Sequence, residues 1–208
     1  AWWDAEVRRG TRFALGEPDV EAALDAARVT LLACREQRGG RWFPIGGPLQ
    51  YRDVWLRDGA RAVQALAMVG YTRESRQLAA GLQSLQWPSG AFITQRGQGD
   101  GTGQALWAFE QAALRPPSSG DSLETLAGAA VRAWRWCESR RRIMAELGAR
   151  RGGLLPYADP RDNELVRAAL TGTDAWTLAG YRAAARLAAA AGHGAVSESI
   201  EVSRNSLP

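Results

Sequence analysis

The fold is decided by residues 100–107, which read DGTGQALW, together with two related stretches. Residues 55–60 read WLRDGA, and residues 173–180 read TDAWTLAG. In each stretch an aspartate (Asp58, Asp100 or Asp174) lies at the expected start of a helix of small residues, with a tryptophan close by. A capping carboxylate, exposed backbone N–H groups and an aromatic ring together form a compact polar site. We therefore expect three similar helix starts that share one pocket.

The remainder of the chain predicts helix after helix, with no convincing alternating strand. A start signal at Pro18 and Asp19 is followed by apolar residues at helical spacing, which predict one long helix over 20–38. Two helix pairs, a further helix and two irregular segments are expected beyond it: the loop 39–51, the pairs 60–69 with 73–85 and 104–114 with 122–147, the helix 174–191, and a weakly ordered tail over 192–208.

Length and composition indicate one folded domain over 1–208. The chain has 208 residues, of which 46% are hydrophobic, enough to bury a sizeable core. No apolar run approaches the roughly 18 residues of a membrane span, and the first residues lack the features of a signal peptide. We expect no membrane association and a cytoplasmic location. Trp2 and Trp3 suggest that an upstream segment covers them.

Charge and residue usage exclude several function classes. The net charge is +4, but the chain contains no lysine and its arginines are scattered, so we expect no nucleic-acid partner. The missing lysine also excludes a P-loop and a Schiff-base lysine. One histidine, His193, argues against a Ser-His-Asp site or a histidine-based zinc site. We expect no metal or organic cofactor, and free thiols at Cys34 and Cys137.

The predicted units have a constant internal order although their spacing is irregular. Each has a loop, an aspartate, a small-residue helix, a turn and a more amphipathic helix. Small residues let the first helix of each unit approach its neighbours closely in an inner layer. The second helix of each unit suits an outer layer with one solvent-exposed face. Stacking such hairpins brings the starts of the inner helices to a common end.

The same stretches resemble a known family. YRDVWLRDGA at 51–60, residues 100–109, GLLP at 153–156 and residues 173–185 are similar, in this order, to the glucoamylase-like six-hairpin glycosidases. The resemblance covers about 20–190 and is most specific in its W-x-R-D element. It implies an all-α (α/α)6 barrel of twelve helices with an active cleft at one end. This chain supplies six or seven helices, so we expect an incomplete or reduced barrel, or part of a longer enzyme.

The resemblance also implies roles in substrate binding. Arg57 and Asp58 match the pair that holds the non-reducing sugar, with Trp55 as a platform. The alternative is that Asp58 only caps a helix and pairs with Arg57 or Arg61. A second wall of the site is expected from Asp100, Gln104 and Trp107, and Trp176 is a further binding candidate. For Asp100 the alternative is again a helix cap, and for Trp107 it is a place in the core.

Glycoside cleavage requires two carboxyl groups, one to protonate the leaving oxygen and one to activate water. Asp174 is the preferred general-acid candidate, because Trp176 is an apolar neighbour that favours the protonated form. Glu164, in the preceding loop, is the rival, and its alternative is a solvated surface charge. The family's water-activating glutamate belongs to later hairpins, and nothing after Ala191 matches it. We therefore expect this chain alone to lack a complete acid and base pair.

The resemblance thus implies a glycoside hydrolase-type domain that acts on alpha-glucosidic oligosaccharides by carboxylate acid and base hydrolysis. One alternative is a non-catalytic carbohydrate-binding or scaffold domain derived from such an enzyme. Another is an unrelated helical-hairpin domain, such as a peptide-binding repeat array. An incomplete barrel that exposes apolar edges is expected to self-associate or to pack against a missing flanking domain.

Overall fold

Helices dominate the computed structural model, which describes residues 2–115, 120–147, 153–159 and 167–207. In chain order the elements are α1 (Trp2–Arg8), α2 (Pro18–Ala33), β1 (Arg35–Arg38), β2 (Arg41–Pro44), α3 (Leu56–Met68), α4 (Thr72–Gln83), α5 (Gly101–Leu114), α6 (Asp121–Glu146), α7 (Thr171–Ala190) and α8 (Gly194–Asn205). The expectation of a mainly helical protein is confirmed. No helix in these ranges is both long enough and apolar enough to span a bilayer.

Three helices, α3, α5 and α7, pack side by side and form what we call the inner row. The middle helix, α5, is almost entirely buried, because α3 and α7 flank it. Its contact with α7 depends on glycine: a Cβ atom at Gly103 would lie 2.2 Å from the carbonyl oxygen of Trp176. A Cβ atom at Gly180 would in turn lie 2.8 Å from the Cα atom of Gly103. The small residues therefore bring two helix backbones into direct contact, as their composition predicted.

The helices that follow each inner helix, α4, α6 and α8, form the outer row. Ser75 on α4 donates a hydrogen bond of 2.8 Å to the carbonyl of Val63 on α3. The hydroxyl of Tyr181, a fully buried residue on α7, donates at 2.6 Å to Oε1 of Glu138 on α6. Burial and the neighbouring Cys137 and Glu138 raise the pKa of Tyr181 above its ordinary value. Two of the inner helices, α3 and α7, are thus attached to an outer helix by a polar contact as well as by apolar packing.

The tail forms a helix of its own. Residues 192–208 were expected to be weakly ordered, but α8 covers Gly194–Asn205 and packs against α7. Ile200 is fully buried there, and the hydroxyl of Ser197 donates at 2.9 Å to the carbonyl of Ala185. One buried isoleucine and one hydrogen bond hold this polar helix against α7, although its serine-rich composition did not indicate such packing.

A β-hairpin, where no strand was expected, replaces the end of the predicted helix 20–38, which in fact ends at Ala33, and part of the predicted loop 39–51. Strands β1 and β2 pair antiparallel around Gly39 and Gly40, which have φ angles of 53° and 79°. Two consecutive residues at positive φ are typical of a tight two-residue hairpin turn, which glycine allows without strain. The carbonyl of Trp42 packs on α4, where a Cβ atom at Gly81 would lie 2.0 Å away. Tertiary packing and turn chemistry therefore override the helical spacing of this segment.

Candidate functional site

The starts of the three inner helices meet at one end of the row. A Cβ atom at Gly101, the first residue of α5, would lie 2.7 Å from Cδ1 of Leu56, the first residue of α3. On the other side, a Cβ atom at Gly99 would lie 3.1 Å from Cγ2 of Thr173 in the first turn of α7. Residues within two positions of each predicted aspartate are therefore neighbours in space. Their side chains differ in environment: Asp100 is buried, Asp174 is half-buried and Asp58 is exposed.

A polar network links α3 to α5 at this end. Oδ2 of Asp100 accepts hydrogen bonds from Nη2 of Arg57 at 3.1 Å and from Nε2 of Gln104 at 2.7 Å. The side chain of Asp100 is 11% exposed and that of Arg57 is 52% exposed. Because Arg57 is half in solvent, this ion pair contributes at most about 1 kcal/mol to stability. The network therefore positions a guanidinium group at the open end of the inner row.

Asp100 occupies the N-cap position of α5, yet its side chain makes no capping hydrogen bond there. Its carboxylate instead accepts from Arg57 and Gln104, as described above. The capping alternative for Asp58 does not fit the structure either, because α3 begins at Leu56 and Asp58 lies inside its first turn. A carboxylate in the first turn still interacts favourably with the helix dipole. Trp55, the residue before α3, is half-buried.

A second cluster lies further along the inner row, where Arg61 of α3 sits over two tryptophans. The rings of Trp107 on α5 and Trp176 on α7 meet edge to face, with centroids 5.8 Å apart and planes at 72°. The guanidinium carbon of Arg61 is 4.9 Å from the first centroid and 5.4 Å from the second, within the range of cation–π attraction. Both rings are half-buried. A sugar stacked on either ring must use the surface that Arg61 leaves open or displace Arg61.

The sequence indicated Arg61 only as an alternative ion-pair partner of Asp58, although a signal for its place beside the tryptophans was present. Arg61 lies four residues after Arg57, and Trp107 lies seven residues after Asp100, so each pair shares one side of its helix. Gln64 continues the same side of α3. Reading the predicted binding residues as helical stripes, rather than as single positions, would have placed Arg61 in the site.

Of the two catalytic candidates, Asp174 and Glu164, the structure describes only Asp174. Oδ1 of Asp174 accepts a hydrogen bond of 3.2 Å from the backbone N–H of Leu155, so the loop bearing GLLP contacts the start of α7. Trp176, expected to be the apolar neighbour of Asp174, packs against Trp107 and Arg61. Glu164 lies outside the described residues.

Other possible sites are separate from this end. A cavity of about 420 Å³ lies beside α1 and α2 and contains none of the predicted site residues. Within the described ranges, no group of three histidine, cysteine or acidic side chains is placed to hold a metal ion. Both cysteines are free, with Cys137 buried and Cys34 partly so. The sole histidine, His193, precedes α8 and its Nε2 lies 2.8 Å from Oε1 of Glu124 on α6.

Comparison of the chain with protein-family models, with curated proteins and with solved structures gives no match.

Proposed function

We propose that this chain is a glycoside hydrolase-type domain that holds an oligosaccharide at the starts of α3, α5 and α7. The observation that carries the proposal is the Arg57–Asp100–Gln104 network, which joins residues 43 positions apart in the sequence at the open end of the inner row. The predicted alpha-glucosidic substrate and the incomplete (α/α)6 barrel are parts of the same proposal and rest on the resemblance.

The chemistry of the network suits sugar hydroxyls. A hydroxyl both donates and accepts, so it can bridge a guanidinium and a carboxylate that are already in contact. Arg57 and Asp58 present both groups on one exposed turn of α3. The half-buried Trp107 and Trp176 add apolar ring surface of the kind that the C–H face of a pyranose contacts. Hydrogen-bonding groups beside aromatic rings are the combination that a saccharide site requires.

In this proposal Asp174 is the general acid, with Glu164 as its rival. The contact from the N–H of Leu155 and the position in the first turn of α7 both stabilise a carboxylate anion, whereas a general acid must hold its proton before the reaction. Asp174 can therefore act as a general acid only when the bound substrate changes its contact with the N–H of Leu155. The role of Asp174 is therefore the part of the proposal that a substitution tests most directly.

The hydrogen bonds that these carboxylates accept favour a second candidate, a non-catalytic carbohydrate-binding domain. Asp100 accepts from two side chains and Asp174 accepts from a backbone N–H group, so both carboxylates are engaged as acceptors. A domain that only binds saccharides would keep these contacts and would need no group that transfers a proton.

Calorimetric titration of the chain with maltotriose, run beside an assay for released glucose, tests both candidates. We expect binding that Arg57→Gln weakens by about tenfold, as expected for loss of one charge-assisted hydrogen bond. Arg73→Gln, which removes an exposed arginine from α4, is the matched control and should leave affinity unchanged.

Turnover that Asp174→Asn abolishes while binding persists supports the hydrolase. Binding without turnover in the unmodified chain agrees with the expected lack of a complete acid and base pair, and the second candidate then describes this chain by itself. If maltotriose does not bind, or if Arg57→Gln behaves as Arg73→Gln does, the proposed site is wrong. Asp58→Asn should reduce binding with little change in Tm, because Asp58 is exposed and makes no cap of α3.

A further inference from the structure

A small basic cavity lies along the inner row beyond the tryptophan cluster. It has a volume of about 180 Å³ and is lined by residues from α3, α5 and α7 and by Arg115 after α5. Trp107 forms part of its wall, so the cavity shares one residue with the proposed saccharide site. The volume is below the roughly 300 Å³ at which pockets for larger ligands begin. It therefore suits one charged group or one sugar ring rather than a whole oligomer.

The charges in this cavity are unequal. Three arginines line it, Arg115, Arg182 and Arg186, against the single carboxylate of Glu110. Glu110 is buried, and its Oε1 forms an ion pair with Nη1 of Arg186. Arg182 is exposed and forms no ion pair within the described ranges. After the pair is counted, two guanidinium groups remain to attract an anion, and planar guanidinium groups match carboxylate geometry.

A buried amide adds a second, independent requirement. Gln111 is 3% exposed, and its Oε1 has no hydrogen-bond partner among the residues that the structure describes. Its Nε2 donates only a long bond of 3.4 Å to Oε2 of Glu110. A buried acceptor left without a donor is costly, so such groups usually have a partner. Gln111 lines the cavity, so a ligand that carries both negative charge and an O–H or N–H group could complement the arginines and supply the missing donor.

We propose that this cavity binds the carboxylate-bearing ring of an acidic saccharide, a uronate residue. Its carboxylate pairs with Arg182 and Arg115, and one of its hydroxyls donates to Gln111. This proposal rests on the proposed function, because it assigns the substrate class of the same face of the inner row. It adds an acidic ring, held beside the Trp107 wall, to the oligosaccharide expected at the proposed site.

Titration of the whole chain with glucuronate, glucose and inorganic phosphate at low ionic strength tests the proposal. Glucuronate has both the charge and the hydroxyls, glucose lacks the charge, and phosphate lacks the sugar ring. We expect glucuronate to bind about tenfold or more tightly than either, the factor expected when one charge-assisted hydrogen bond is lost. Added salt should weaken glucuronate binding and leave glucose binding unchanged.

Variants locate the effect in the cavity. Arg182→Gln should weaken glucuronate binding about tenfold, whereas Arg135→Gln, on the exposed side of α6, should leave it unchanged. Arg182 is preferred to Arg186 because removing Arg186 leaves the buried Glu110 unpaired. Gln111→Leu should weaken binding while the free protein becomes no less stable, a combination that a purely structural glutamine would not give.

Equal affinity for glucose and glucuronate, or equal effects of Arg182→Gln and Arg135→Gln, would overturn the acidic-ring assignment. Phosphate that binds as tightly as glucuronate would also overturn it, because the ring would then contribute nothing. Maltotriose binding that depends on Arg57 would leave the proposed function standing in those cases. If Arg182-dependent glucuronate binding is seen without any maltotriose binding, the acidic ring stands and the alpha-glucosidic substrate fails.

Discussion

Replacement of Gly103 by alanine should destabilise the protein by opening the contact between α5 and α7. The added Cβ atom would lie 2.2 Å from the carbonyl oxygen of Trp176, 2.4 Å from its carbonyl carbon and 2.9 Å from the nitrogen of Thr177. All three atoms belong to the backbone of α7, so no side-chain rotation can relieve the overlap. The helix must move as a unit, and with it the ring of Trp176.

The magnitude follows from two opposing effects. Overpacking in a close-packed interior costs about 1–3 kcal/mol, and the rigid backbone neighbour places Gly103→Ala at the upper end. Alanine regains up to about 1 kcal/mol of helix propensity over glycine. The net loss of about 2 kcal/mol should lower Tm by about 4–8 °C for a chain of this size.

Urea unfolding followed by circular dichroism measures this loss, and Gly128→Ala is the matched control. Gly128 is also helical, on α6, but a Cβ atom there would meet only a guanidinium nitrogen of Arg132 at 3.7 Å, an ordinary contact. Gly128→Ala should therefore raise stability by up to about 1 kcal/mol. If Gly103→Ala proves as stable as Gly128→Ala, the close contact of the inner row does not exist as described.

Three further predictions concern the rest of the fold. Ile200→Ala should lower the free energy of unfolding, measured in urea, by about 2–4 kcal/mol because Ile200 is fully buried. Val202→Ala, at a residue that is 71% exposed, is the control and should change it by less than about 0.5 kcal/mol. Equal effects would mean that α8 is not packed on α7. Burial alone would raise the pKa of Glu74, but the hydrogen bond from Arg9 and a backbone N–H hold that pKa below its ordinary 4.5. The stability that Glu74 provides over Glu74→Gln should therefore be complete above pH 4.5 and disappear as pH falls through the lowered pKa, and a difference that persists unchanged in acid would contradict the pairing. Burial and the nearby Glu138 raise the pKa of Cys137 to about 12, and burial raises the pKa of Cys34. A thiol reagent at mildly alkaline pH should therefore leave Cys137 unmodified until urea exposes both thiols. Rapid modification of Cys137 in the folded protein would show that its surroundings are open.

Much of the helical framework could be predicted because local signals and tertiary packing agree there. The pairs α3 with α4 and α5 with α6 lie close to their predicted bounds, since turn residues and helical spacing indicate the same boundaries. The meeting of helix starts also follows from the small residues, such as Gly103, that let the inner helices touch.

The hairpin at 35–44 and the helix α8 could not be read from helical spacing. The hairpin depends on Gly39 and Gly40 at positive φ and on the packing of Trp42 against Gly81, which is distant in sequence. In α8, one buried side chain, Ile200, outweighs a polar composition. Long-range contacts decided both segments.

The site was predicted in part for a similar reason. The sequence identifies Arg57, Asp100 and Trp107 as candidates, but it does not show that Asp100 pairs with Arg57 rather than capping α5. Arg61 and the basic cavity around Gln111 come from three different helices. Their association depends on how the helices are rotated against one another, which no local pattern specifies.

The most direct test of a saccharide site on the inner row is an NMR titration that follows the indole N–H signals of the tryptophans, assigned with Trp107→Phe and Trp176→Phe. Added maltotriose or glucuronate should shift the signals of Trp107 and Trp176 and leave those of Trp2 and Trp87, exposed elsewhere on the molecule, in place. Shifts confined to Trp2 or Trp87, or no shift of any indole signal at saturating sugar, would contradict the account.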